Sequence, residues 1–188
     1  MRKLLLITGD LAVGKSRFAE ILSNRYGIAV MYKDRVKELL CDSIGFADRE
    51  ENKRLSVVAV ELMAHYFTSM TVSGSDIILE ANFRENELKK IYKIAVQKEY
   101  EVLCLVLRAD MDIIYKRFVN RIENENRHPA HISGFDGYDT LKYYIDEGRK
   151  QAIPGKSLEI NANDFSYQCD DKILSQIDEF LGIGYENN

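Results

Sequence analysis

Apolar residues along this chain follow two alternating rhythms. Short unbroken runs occur at Leu4–Ile7, Ile28–Met31, Ile77–Leu79, Val102–Leu107 and Leu158–Ile160, each with the length of a buried strand. Between them the apolar spacing changes to three and four. Phe18, Ile21, Leu22 and Tyr26 predict a helix that Gly27 ends, and a second is expected over Lys33 to Leu40. Leu55, Val58, Ala59, Leu62, Met63, Tyr66, Phe67 and Met70 predict a longer helix stopped by Ser73-Gly74. Residues 86–98 form another, with Leu88, Ile91, Tyr92 and Ala95 inward. Asp110 is expected to cap the next, whose inward stripe is Ile114, Phe118 and Ile122. Leu141, Tyr144, Ile145 and Gly148 continue the pattern, and Ile173, Leu174, Ile177 and Phe180 line a closing helix. Residues 42–52 and 124–138 are polar and read as loops, the second containing Pro129, Gly134 and Gly137. Five strands alternating with helices predict an α/β fold, a parallel sheet covered on both faces. Ligands of such a sheet bind beyond the carboxyl ends of its strands.

Composition narrows this modestly. A chain of 188 residues suits one α/β domain spanning 1–188, and 46% hydrophobic with 30% charged residues is ordinary for a globular protein. The net charge of −4 weighs against a life on long nucleic acid, where a basic face is expected. Cys41, Cys104 and Cys169 form no C-x-x-C pair and read as buried thiols in a reducing compartment. Met-Arg-Lys leads directly into the first strand, no apolar run approaches a membrane span, and a cytoplasmic location is expected. Oligomeric state leaves no mark on the pattern.

Chemistry enters at Gly9-Asp10-Leu11-Ala12-Val13-Gly14-Lys15-Ser16, a full G-x-x-x-x-G-K-[ST] string between a predicted strand and a predicted helix. In that setting the loop amides close around nucleotide phosphates, Lys15 adds a point charge, and the Ser16 hydroxyl joins the shell of a bound Mg²⁺. Glu80 ends an apolar run, where an acid either holds that metal or simply leaves the core. Asp34, after the second strand, reads equally as a helix cap and as the acceptor of a substrate hydroxyl proton. Arg117 and Arg121 share a helix side away from the apolar stripe, and Arg127 follows in the polar stretch. They fit a lid that neutralises a transferring phosphate, or a surface paired with Glu123 and Glu125. His128 and His131 lack a third ligand for zinc and read as phosphate or substrate contacts. Arg35, Asn82 and Arg84 complete the candidate substrate groups. The N-K-x-D string that reads guanine is missing, which favours ATP.

With these pieces in order, the chain resembles the small P-loop kinases of the nucleoside- and nucleotide-kinase-like branch. It looks most like the AAA-type, zeta-toxin- and polynucleotide-kinase-like members. The resemblance rests on Gly9–Ser16, Tyr32-Lys33-Asp34, Ile77 to Phe83, Arg117 through Arg121, and Arg127-His128-Pro129-Ala130-His131. It implies a three-layer P-loop fold with a sheet in the order 2-3-1-4-5 and a helical lid near residues 121–138. It also implies an acceptor-activating acid at Asp34, a lid arginine at Arg121, and adenine near Asn161 to Asp164 beside Arg117. Where the polynucleotide branch carries a second acid, this chain has Arg35. The expectation is an ATP- and Mg²⁺-dependent kinase acting on a hydroxyl of a small molecule. The rivals are a kinase of polynucleotide 5′ ends, a nucleotide-sugar kinase, and an ATP-binding switch without transfer.

Overall fold

Four successive side chains of the first strand, Leu4, Leu5, Leu6 and Ile7, are buried. Burial on both faces is the lot of a central strand in a helix-covered parallel sheet. The computed structural model, which describes residues 2–125, 127–131 and 137–184, places them so. The strands are β1 (Arg2–Gly9), β2 (Ala29–Tyr32), β3 (Ile77–Glu80), β4 (Tyr100–Arg108) and β5 (Lys156–Asn161). All pair in parallel, in the order β2-β3-β1-β4-β5, as the resemblance implied.

The helices are α1 (Lys15–Tyr26), α2 (Lys33–Ile44), α3 (Arg49–Met70), α4 (Glu85–Gln97), α5 (Met111–Asn124), α6 (Tyr138–Arg149) and α7 (Asp171–Leu181). Because side chains alternate along a strand, β1 serves two cores. Leu5 and Ile7 face Phe18 and Leu22 of α1, together with Ile114, Ile145 and Ile177 from α5, α6 and α7. Leu4 and Leu6 face Met63 and Phe67 of α3 and Leu88 and Ile91 of α4. The result is three layers with the sheet in the middle. No helix among the described residues is long and apolar enough to cross a membrane.

Several expectations need correction. The loop expected at 42–52 is mostly helix: α2 runs to Ile44 and α3 begins at Arg49, where the Asp48 carboxylate accepts from the Glu50 and Glu51 amides. The first turns of α3 are polar because they border a cavity rather than the core. Val58, Leu62 and Ile122 fit helical stripes yet stand 41%, 41% and 52% exposed, so those stripes are narrower than the spacing suggested. Asp110 holds the N-cap position of α5 without capping it; its carboxylate accepts from Asn163 Nδ2 at 2.9 Å. Cys169 is exposed, unlike Cys41 and Cys104. Within the expected lid, Asn126 and residues 132–136, Gly134 included, lie outside the described residues. The described part holds the end of α5 and a 3-10 turn at Pro129–His131.

Candidate functional site

Strand register brings the site together. Tyr32 of β2 and Ile7 of β1 both pair with Glu80 of β3, so these strands finish level. Asp34, Asn82 and Gly9 each lie two residues beyond and share one edge of the sheet. Arg108 pairs with Asn161, which sets the loop after β5 at the same edge.

The glycine loop is shaped by close approach. Gly9 has φ near 120°, and a Cβ there would stand 2.0 Å from the Leu107 carbonyl oxygen, so only glycine fits. Gly14 occupies the left-handed region (φ 86°) at the N-cap of α1, leaving the first helical amides free for an anion. A side chain at Gly14 would also strike the Tyr167 hydroxyl and the Phe165 ring, at 2.8 and 2.9 Å. Tyr167, itself buried, donates its hydroxyl to the Val13 carbonyl at 2.8 Å and packs edge-on against Phe18.

Lys15 is buried and folds onto the loop, donating to the carbonyls of Asp10 (2.5 Å) and Gly9 (3.2 Å). Burial lowers its pKa, against the pull of Glu80, Asp34 and Asp10. Glu80, buried beside it, is raised by burial, with Lys15 opposing, and accepts from Ser16 Oγ at 3.0 Å. Two hard oxygen donors side by side next to a phosphate loop suit Mg²⁺. Among the described residues no group of three or more His, Cys, Asp or Glu could hold a metal, so phosphate and water oxygens would complete such a shell.

Asp10, though part of the loop, turns its carboxylate inward. Arg149 at the end of α6 grips it through Nε (3.2 Å) and Nη2 (2.6 Å), and the Ala109 amide donates to Oδ2 at 3.1 Å. Removing one partner of a buried pair strands the other charge. Arg149→Met should therefore cost about 3 kcal/mol in urea unfolding, and adding Asp10→Asn should recover most of it. Full stability of Arg149→Met alone would show that the clamp contributes nothing.

The remaining candidates divide into those that line one cavity and those that do not. A cavity of about 490 Å³ is bordered by Leu11 and Ala12 of the glycine loop, Asp34, Arg121, Arg127, Asn82 and Arg84. Tyr32 holds the N-cap position of α2 and no side chain caps that helix, so Asp34 is not a cap. It sits accessible at the cavity with Lys33 Nζ at 3.4 Å. Burial would raise its pKa, but Lys33, then His131 and Lys15, outweigh this and hold the carboxyl below its ordinary value. Arg121 shows both of its readings, donating to Glu125 at 3.1 Å while bordering the cavity. His131 also borders the cavity, its Nε2–H donating to Glu38 at 2.8 Å. Burial pushes its imidazole below the usual pKa, against Asp34 and Glu38.

Arg117, Arg35 and His128 fall outside that cavity. Arg117 donates to the carbonyls of Ala162 (2.8 Å) and Asn163 (2.9 Å) and lies 4.2 Å over the Phe165 ring. It belongs with the loop after β5, not beside Asp34. Arg35 stacks on Tyr32 at 4.1 Å. His128 accepts from the Ala130 amide at Nδ1, so its Nε2–H donates to Asp42 (2.9 Å); it shapes the turn and does not border that cavity. Asn82 borders the cavity with its Nδ2 donated to Tyr144 Oη at 3.0 Å. Arg149, Tyr167 and Phe165 escaped the sequence reading because nothing local marks them; their partners lie far away along the chain.

Comparison with known proteins agrees with this fold. The model of the AAA domain family AAA_33 matches residues 4–136. No curated protein sequence matches the chain. Among solved structures, a protein from Chloroflexus aurantiacus described as a kinase superposes with a TM-score of 0.82 at 24% identity, covering 95% of this chain and 97% of its own. The APS kinase of Mycobacterium tuberculosis, solved with AMPPNP and APS, gives 0.62 at 16% identity, over 95% and 97%. A gluconokinase from Sinorhizobium meliloti gives 0.62 at 10% identity, over 97% and 96%. The chain belongs to the AAA domain family AAA_33 and has the α/β fold of the small P-loop kinases.

Proposed function

We propose that this chain is an ATP- and Mg²⁺-dependent kinase transferring the γ-phosphate to a hydroxyl of a small molecule. One observation carries the reading: Asp34, Arg121, Arg127 and the glycine loop border a single cavity. In this reading the 188 residues act as one kinase domain, with residues near 121–138 as its lid. The loop amides and Lys15 hold the phosphates, with adenine beside Arg117 and Phe165. Ser16 and Glu80 would hold Mg²⁺, which when bound would offset negative charge on the nucleotide phosphates. Asp34 accepts the proton of the attacking hydroxyl as the new oxygen–phosphorus bond forms and the bond to ADP breaks. Arg121 and Arg127 offset charge on the transferring group. AMPPNP in the APS kinase and the kinase activity named for the gluconokinase support the same reading.

The test is transfer of label from γ-labelled ATP across a panel of hydroxyl compounds: neutral and acidic metabolites, nucleotide sugars and a 5′-hydroxyl oligonucleotide. Label is expected on a small-molecule hydroxyl. Binding of MgATP with no acceptor labelled anywhere in the panel would instead indicate a nucleotide switch.

A further inference from the structure

The cavity beside Asp34 carries a charge opposite to that of the molecule. The chain has a net charge of −4. Eight Lys and Arg side chains border this cavity against three carboxylates, a local excess of five positive charges. Several of the eight have partners: Lys33 lies near Asp34, Lys37 donates to the Ala130 carbonyl at 2.9 Å, and Arg121 pairs with Glu125. Arg49, Arg54 and Arg84 have no ion-pair partner among the described residues. They converge from two elements, the first turns of α3 and the N-cap of α4. Unpaired guanidinium groups gathered at one cavity are suited to bind carboxylate or phosphate through paired N–H donors.

A second feature borders the same space. Asn52 donates Nδ2 to the Ala130 carbonyl at 3.1 Å, and its buried Oδ1 has no hydrogen-bond partner. A buried acceptor atom without a donor is costly to leave so.

We infer that the acceptor is a small hydroxyl compound already bearing an acidic group, a phosphate monoester or a carboxylate, held by Arg49, Arg54 and Arg84. The inference rests on the kinase reading of this cavity and supplies its substrate class. Asp34, itself an anion, then meets the hydroxyl end of the acceptor, while the arginines hold the acidic end away from it.

The experiment compares matched pairs as acceptors: glycerol 3-phosphate with glycerol, and gluconate with glucitol. Acidic members should be phosphorylated at a kcat/KM at least about tenfold above their neutral partners, and whichever acid works tells phosphate from carboxylate. Arg54→Gln should raise KM for the acid about 30-fold and change the neutral partner by less than about threefold, with Arg54→Lys recovering part of the loss. Arg54 is exposed and unpaired, so the variant should keep its fold. Neutral members preferred or equal would overturn the inference and leave the kinase reading standing, whereas an oligonucleotide 5′ end preferred would overturn the inference and the small-molecule acceptor together. The same pairs are titrated calorimetrically into AMPPNP-loaded protein. Acid binding weakened by Arg54→Gln without any transfer would uphold the anion site and sink the kinase reading. No acid binding would overturn the inference.

Discussion

Lys15→Ala is expected to lower phosphate transfer by at least about 10³-fold, the scale on which a preorganised charge at the transferring group contributes. The buried ammonium donates to two loop carbonyls and lies close enough to Glu80 and Asp34 for their charge to oppose the lowering of its pKa by burial. It therefore stands among the loop, Glu80 and Asp34. The loss should divide between kcat and the KM for ATP, because the charge helps both bound nucleotide and transition state. Turnover within tenfold of wild type would show that this loop does not hold the reacting phosphates.

Asp34→Asn should leave ATP affinity nearly unchanged and reduce kcat by about 10²–10⁴-fold, the usual worth of a general base. The contrast with Lys15 is the informative part. The Asp34 pKa lies below the ordinary aspartate value, so its carboxylate persists through neutral and mildly acidic pH. Activity that depends on it should decline only as pH falls through that lowered value. The stability it gives follows the same sign, present above the unfolded-state pKa and lost as pH falls through the folded one. A kcat preserved in Asp34→Asn would remove the proton-accepting role.

How far the sequence could be read varies from place to place for physical reasons. The first strand, glycine loop and helix were legible because one local string sets glycine positions, charge and helix start together. Sheet order came from resemblance, since strand pairing is a long-range property with no local marker. The polar residues of α3 were misread as loop because they border a cavity, where the apolar periodicity that announces a helix is absent. Of the arginine series, Arg121 and Arg127 border the cavity of Asp34, whereas Arg117, one turn before Arg121, is drawn to the carbonyls of Ala162 and Asn163. Helical spacing shows that two side chains share a side, not what each meets there. Arg149 and Tyr167 left no trace, their partners being 139 and 154 residues distant.

The inward turn of Asp10 has a wider bearing. A loop built to receive polyanions carries an acid at its second position, and a guanidinium from the end of α6 keeps that acid from opposing them. Both Arg149 and the Tyr167 hydroxyl lie past residue 136, where the family's matched region stops. The nucleotide grip is thus no portable cassette: cut out or grafted without its distant supports, the same eight residues would confront their ligand with a bare negative charge and a slack backbone.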